Sequence, residues 1–489
     1  MVKAKGKYLL ASGSESDWLT VLSNWDLTFA RLNTSIYDIS NIPLQHAVSV
    51  NMNNFTEIDI SANSPQLSPF RTYWVDISGL ILYDTKFYMD ESDNSKIHDI
   101  YVDDILGKTS YDTDICANQI KAVTMAQAVT SIDEQAFSGL HELTRVNIPK
   151  TVTSVGTEAF YDCSGLSTIV FEADSSLQVI GISAFQNCTS LPSITIPKLV
   201  ETIGQSAFQD CSGLSTIVFE ADSSLIIIGY NSFQNTNLKQ ITIPQSVTEI
   251  WDGAFQYCSS LSDIVIPKLV ETIRQSVFQD CSQLTNVTFD ASSNLTAIEA
   301  SAFQNCTVLK DIDIPKLVET IGQSAFQDCS QLSLVTFDVS SNLTSIEDNA
   351  FSSCTLINIT IPKSVETIGQ SAFSNCSSLL SVLFDNNSNL ITIGASALQN
   401  CSSISSFIIP KSVVNIGEKV FENIDDCTIM FESSSNFTQI TNQFKGMGTG
   451  NTINIPNSVT DIAYQAFSKG NIGTGLSVIF ENDSPITSI

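Results

Sequence analysis

A phenylalanine, usually preceded by Ala or Val, returns along this chain every 22 to 25 residues, and no other feature restricts the fold as much. Phe137, Phe160, Phe185, Phe208, Phe233, Phe255, Phe278, Phe303, Phe326, Phe351 and Phe373 hold the phase, and Leu398, Phe421, Phe444 and Phe467 continue it. Self-similarity at such a period is the signature of stacked repeats. Within each repeat the same roles recur. A segment L-x-x-I-x-I, as in Leu191–Ile196 or Leu238–Ile243, alternates like a short strand. A Pro or an acidic residue ends it. Then come V-x-x-I, a frequent Gly, the Phe, and a Cys three residues later. One repeat carries about six apolar side chains, each worth roughly 1.5–3 kcal/mol when buried. Too thin to enclose them alone, it must bury them against its neighbours.

Two repeat types alternate. One reads I-x-I-P-K, as at Pro197-Lys198, Pro267-Lys268 and Pro315-Lys316; the other reads x-x-F-E/D, as at Phe219-Glu220, Phe289-Asp290 and Phe337-Asp338. Stacked strands lie about 4.8 Å apart, so Lys and acidic rungs are expected to alternate along one exposed edge. Pairs of that kind contribute about 0–1 kcal/mol each.

Motifs such as TVTSVGTEAFYDCSGL at 151–166 and SVETIGQSAFSNCSSL at 364–379 resemble the BspA-like family of leucine-rich-repeat proteins. The resemblance covers residues 115–489, with rungs from Ile120–Met125 onward. It implies a β-rich leucine-rich-repeat solenoid with short parallel strands and short helical or irregular turns, elongated and curved, of about fifteen to sixteen repeats. Residues 1–114, which hold Trp18, Trp25 and Trp74, are less regular. They are expected to form a capping region with a divergent repeat at 55–89. At the other end FENDSPITSI matches the first half of a repeat and stops. Such an open end implies either a fragment or end-to-end docking on another copy or partner.

Composition narrows the partners. The chain has 489 residues and a formal net charge of −29. So acidic a surface repels nucleic-acid phosphates and anionic lipid heads, leaving protein as the expected partner class. No run reaches the roughly 18 apolar residues of a spanning helix, so no direct membrane insertion is expected. The opening MVKAKGKYLLASG has only Tyr8–Ala11 as an apolar run, too short for a secretory signal.

Chemistry-bearing residues follow the repeat instead of converging. Ten of the 12 cysteines share one phase, from Cys163 to Cys401, with Thr236 in that position after Phe233. This favours inward packing thiols over disulfides or a metal site. His46, His98 and His141 are scattered, so no nucleophile, base and orienter are brought together and no enzymatic activity is expected. KGMGTGN at 445–451 lacks the Lys-Ser/Thr of a phosphate loop and reads as a flexible loop. MDESDNSKIHD at 89–99 lacks the Gly and distal Glu of a calcium loop and reads as a solvated turn. No cofactor or metal is expected.

The outward strand positions are the candidate site. Reading the x of I-x-I/F gives Thr195, Val218, Thr242, Val265, Thr288, Asp313, Thr336 and Thr360, a continuous face of mostly small β-branched groups. A second feature lies where two Pro-type repeats follow each other. There the usual Gly becomes Trp251, Arg274 and Glu299 on successive rungs, with Tyr230 in a nearby phase. Trp251 and Arg274 are expected to stack and Arg274 to face Glu299; Trp, Tyr and Arg dominate binding hot spots. Two functions follow. The family resemblance implies a non-enzymatic, secreted or surface protein that binds protein ligands in adhesion. The missing signal and reduced thiols favour the alternative, an intracellular scaffold docking along a cytoskeletal or other assembly.

Overall fold

The computed structural model describes residues 122–125, 129–464, 466–468, 475–482 and 485–486, with backbone strands at Ile58–Asp59, Arg71–Tyr73, Thr85–Asp90 and Asp93–Val102. Trp18, Trp25, Trp74, His46 and the closing residues 487–489 lie outside the described residues. Two compact units divide the chain, residues 1–237 and 238–489. Each unit is a parallel β-solenoid.

In the first unit Ile58–Asp59, Ala122–Thr124, Arg145–Ile148 and Thr168–Phe171 form one parallel ladder, and Ser193–Ile196 pairs with Thr216–Phe219. On a second edge two-residue strands stack in register, Ser154–Val155, Val179–Ile180, Thr202–Ile203 and Ile227–Ile228. Ahead of them Thr85–Asp90 and Asp93–Val102 form an antiparallel hairpin, and Ile97 pairs with Ile132 in the first short strand. The segment 89–99, read as a turn, is therefore mostly strand.

The second unit repeats the plan. Its earlier four-residue strands pair in twos, such as Asp263–Ile266 with Asn286–Phe289 and Asn358–Ile361 with Ser381–Phe384, and the last four, from Ser406–Ile409 to Ser477–Phe480, form one parallel sheet. Its two-residue strands run from Thr272–Ile273 to Asn415–Ile416 in one seven-stranded sheet. The predicted strand at Leu238–Ile243 is reduced to one bridge, Gln240 to Asp263, although Ile241 and Ile243 remain buried.

The third edge of each repeat is a turn around the phenylalanine. No helix occurs among the described residues, so the irregular-turn expectation holds and the helical one does not. The reason is visible in the dihedrals. Ser206 and Asp210 flank Phe208 at φ 54° and 60°, and Ser183 and Asn187 flank Phe185 at 51° and 62°. Left-handed residues two positions either side of the Phe break any helix. Asn and Asp tolerate that region better than most side chains. Successive turns are tied by backbone bonds: Phe185 N–H donates to the Ala207 carbonyl and Asn187 N–H to that of Gln209, at 2.8 and 2.9 Å.

Inside each unit the phenylalanine rings stack on one another. From Phe137 through Phe160, Phe185 and Phe208 to Phe233, neighbouring centroids lie 5.0, 5.1, 5.3 and 5.5 Å apart. From Phe255 to Phe373 the spacing is 5.2 to 5.6 Å. Offset-stacked rings at such distances add about 0.5–1.5 kcal/mol beyond burial. The Cys rows run alongside. Cys163, Cys211 and Cys329 each donate S–H to the carbonyl of the Phe one repeat earlier, at 3.0, 3.0 and 3.1 Å.

The stack is interrupted at Leu398, and the strand side repairs it. Phe407 stands where other strands carry an inward Ile or Val. Its ring meets Phe384 and Phe421 edge-on at 5.8 and 5.3 Å. The smaller spine residue and the larger strand residue are expected to compensate in volume. Leu398→Phe alone should cost about 1–3 kcal/mol through overpacking. Adding Phe407→Ile should recover most of it in urea denaturation; strictly additive losses would contradict the compensation.

The acidic rungs have a task the sequence did not reveal. Glu172, Glu220 and Glu432 accept the backbone N–H of Lys150, Lys198 and Lys411, at 3.1, 2.9 and 3.0 Å. The expected alternation of Lys and Glu is present in sequence order, but these carboxylates bond the Lys backbone, capping the preceding Pro-type turn. Asp290 instead takes the Ser292 N–H and hydroxyl, which holds its carboxyl below the usual range.

Candidate functional site: the exposed strand face

A four-residue strand on a solenoid turns its second and fourth side chains inward and its first and third outward. Ser193–Ile196 shows the pattern fully, with Ile194 and Ile196 buried and Ser193 and Thr195 exposed. In the first unit Thr195 stands in register with Val218, which is half exposed. In the second unit Val265 is in register with Thr288, and Asp313 with Thr336. Thr242, Val265, Thr288, Asp313 and Thr360 are exposed and Thr336 is partly covered, because its hydroxyl donates to the Asp313 carboxylate. Within each unit the structure thus brings these side chains to one strand face.

Sequence reading stopped this series at Thr360 and sought small β-branched groups. Carried further, the same position gives Leu383 in SVLF and Ile408 in SFII, both about half exposed. Ile357 and Leu380, immediately ahead of their strands, are also exposed. The signal was in the sequence, in the continuation of I-x-I.

The second candidate lies in residues 238–489. The Arg274 guanidinium carbon sits 4.8 Å from the centroid of Trp251, as expected from their shared phase. The expected partner Glu299 is a correction. Arg274 Nη2 lies 3.6 Å from Glu249 Oε2, while the Glu299 carboxylate accepts the Gln275 N–H at 3.2 Å. An Arg between two acidic neighbours can turn either way. Here the carboxylate that a backbone N–H already engages is the one it leaves. Both partners of the Arg274–Glu249 pair are more than a third exposed, so the ion pair is worth at most about 1 kcal/mol. Tyr257, an exposed aromatic at φ 60°, occupies a turn position held by Asp or Asn in most other repeats. Sequence reading missed it. Tyr230 is exposed in residues 1–237.

The remaining chemistry is structural. His141 Nδ1 lies 3.0 Å from the Asp162 carbonyl, 3.4 Å from Ser164 Oγ and 3.8 Å from Asp162 Oδ2. All three partners meet the same nitrogen, whereas a catalytic His engages nucleophile and orienting carboxylate with different ones. The glycine-rich segment 445–451 wraps around carboxylates. Asp425 accepts the Thr449 N–H, and a Cβ at Gly448 or Gly450 would collide with Asp425 or Asp426. A loop so lined repels phosphate. The described phase cysteines are buried, and no metal-binding group of His, Cys, Asp and Glu occurs among the described residues. Burial pushes the Cys329 and Cys376 thiols up to about 12 and those of Cys281, Cys306 and Cys401 well above their ordinary value.

Comparison with known proteins agrees with this architecture. The sequence model for the BspA type leucine rich repeat region, six copies, matches residues 111–227, 226–357, 296–428 and 344–474. No curated protein matches the chain. Among solved structures, a leucine-rich repeat protein from Bacteroides ovatus is 22% identical, covering 69% of this chain and 88% of its own, at a TM-score of 0.45. Pneumococcal vaccine antigen PcpA is 19% identical over 74% of this chain and 85% of its own, at 0.41. A leucine rich cell surface protein from Faecalibacterium prausnitzii is 23% identical over 83% and 97%, at 0.36. With the repeat motif matched over most of its length, and parallel coils built on that motif, the chain belongs to the BspA-type leucine-rich-repeat family.

Proposed function

We propose that this is a non-enzymatic protein-binding repeat protein whose exposed strand face engages another protein, in adhesion or surface recognition. The observation that carries the reading is the in-register outward row within each unit, Thr195 beside Val218 and Val265 beside Thr288. Short β-branched side chains on rigid paired strands lose little entropy on binding, which leaves more of the contact energy as affinity. Trp251 stacked under Arg274 supplies a preorganised aromatic of the kind that anchors interfaces.

The test is a pull-down from native lysate and from surface-labelled intact cells, with the wild-type chain and with Val218→Asp/Val265→Asp. Both changes lie on exposed side chains, so folding should be retained. Proteins bound by the wild type should be lost from the variant by at least about tenfold, the effect of one desolvated carboxylate at about 1.4 kcal/mol or more. Identical captured sets would contradict the strand-face reading. Trp251→Ala should weaken the same binding by about 2 kcal/mol.

The second reading, an intracellular scaffold along a protein assembly, is favoured by the buried thiols. It predicts captured proteins in the lysate and none in the surface-labelled set. Glycans on Asn187 or Asn305 would oppose it. Asn305 donates a side-chain N–H to Asp280 at 2.8 Å, so a glycan there would share that nitrogen with the bond.

A further inference from the structure

The strand face of residues 238–489 changes chemistry along its length. Its early rungs are polar and charged, with Asp263, Asp311 and Asp313 beside Lys310. From Leu334 to Met430 the five strands and the residue ahead of each carry no charged side chain at all. Their outward positions hold Ile357, Leu380, Leu383 and Ile408, with relative exposures of 47, 52, 54 and 48%. These four are neighbours. Leu380 N–H donates to the Ile357 carbonyl at 2.8 Å, and Leu383 is in register with Thr360. The next strand brings Ile408 alongside, its Phe407 ring 5.8 Å from Phe384. An uncharged apolar island on a chain of net charge −29 is out of keeping with the rest of its surface.

We infer that this island is the seat of an extended, uncharged apolar segment of a partner protein, with a Lys or Arg at the end that reaches Asp311 and Asp313. The inference rests on the protein-binding reading and specifies which part of the face grips and what it grips. Two arguments select this occupant. The island is of the order of the few hundred Å² that marks an interaction site, short of the roughly 800 Å² per partner of a standard stable interface. A second copy of this chain would also bring two strongly acidic molecules together. Charge supplies the direction. Asp311 is in register with Leu334 and Asp313 with Thr336, so two carboxylates against the single Lys310 border the island on its early-rung side. A cationic residue there is attracted, and an acidic one is repelled.

The experiment pans displayed random twelve-residue peptides against the full chain, then measures selected peptides by fluorescence anisotropy. Enriched peptides should be free of Asp and Glu, rich in apolar residues, and carry Lys or Arg at one end. Leu383→Asp and Ile408→Asp, both at exposed side chains, should each weaken them at least tenfold. Asp311→Asn/Asp313→Asn should weaken only the peptides with the cationic end. Ile226→Asp, at an exposed side chain ahead of a two-residue strand on the second edge, should leave them unchanged. Absence of enrichment, or peptides that bind the Leu383→Asp and Ile408→Asp variants as well as wild type, would overturn the inference. So would a concentration-dependent dimer abolished by Leu383→Asp, which would make the occupant a second copy. Capture of whole partners that is lost in Val218→Asp/Val265→Asp but kept in the island variants would sink this inference alone. Capture unaffected by either set would sink the underlying reading.

Discussion

Raising the pH from 8 to 10 should destabilise this chain. The cause is the buried thiols. An unburied Cys titrates at 9.0, whereas burial holds Cys329 and Cys376 up at about 12 and Cys188, Cys281, Cys306, Cys354 and Cys401 well above the ordinary value. A folded-state pKa above the unfolded one gives stabilisation that is complete below the unfolded pKa and lost as pH rises toward the folded one. The window here is therefore about pH 9 to 12. One unit above the unfolded pKa each thiol withdraws about 1.4 kcal/mol. Cys329 and Cys376 alone thereby remove on the order of 3 kcal/mol, and the five thiols raised well above the ordinary value act in the same direction, against the roughly 5–15 kcal/mol that holds an ordinary domain together. Far-ultraviolet circular dichroism and thiolate absorbance should change together between pH 9 and 10. At pH 8 the native thiols should resist a disulfide-exchange dye and react once denaturant is added. Thiols titrating near 9 while the dichroism stays constant would place them outside the core.

The second large effect is Phe303→Ala, expected to cost about 3–5 kcal/mol. Phe303 is fully buried, with Phe278 and Phe326 stacked on its two faces at 5.3 and 5.2 Å. Removing the ring leaves a cavity that neither neighbour can close, because each is held in its own turn. Phe278 N–H donates to the Ala302 carbonyl and Phe303 N–H to that of Ala325, both at 2.8 Å. In a stack where each repeat contacts only its neighbours, such a gap also uncouples the rungs on either side. Urea denaturation should show a lower midpoint and a shallower slope. A loss under about 1 kcal/mol would mean that the rings share less contact than their spacing implies.

Much of this was legible before any coordinates, and the reason is periodicity. A Phe, a Cys and an alternating I-x-I in constant phase must each fall on one line when repeats stack, so the ring column, the thiol row and the strand face followed directly. What resisted reading lies where phase alone is insufficient. The Phe407 ring repairs the gap at Leu398 from a different position in the repeat, and volume compensation leaves no periodic trace. Phase places Arg274 between Trp251 and Glu299 and gives no sign of Glu249, two residues ahead of Trp251, which is the carboxylate engaged. The acidic rungs were read by charge, but Glu172 and Glu220 act through hydrogen bonds to backbone N–H groups. The turns were left between helical and irregular, and the left-handed pair around each Phe decides it. The apolar island was missed because the outward series was judged by residue size and ended two strands early, before Leu383 and Ile408.

The same physics links fold and function. A repeat that buries its apolar side chains only by stacking produces long rows of identical positions, inward for stability and outward for recognition. Drift is tolerated outward, so the face can pass from Asp311 and Asp313 to Leu383 and Ile408 while the inward row stays aliphatic and aromatic.

A double-mutant cycle tests the shared core most directly. Phe303→Ala and Phe326→Ala remove adjacent rings; Phe278→Ala and Phe351→Ala remove rings separated by two others. The adjacent pair should show a coupling energy of about 0.5–3 kcal/mol, and the separated pair should be additive within about 0.5 kcal/mol. Additivity in the adjacent pair would contradict a spine in which each repeat completes the burial of the next.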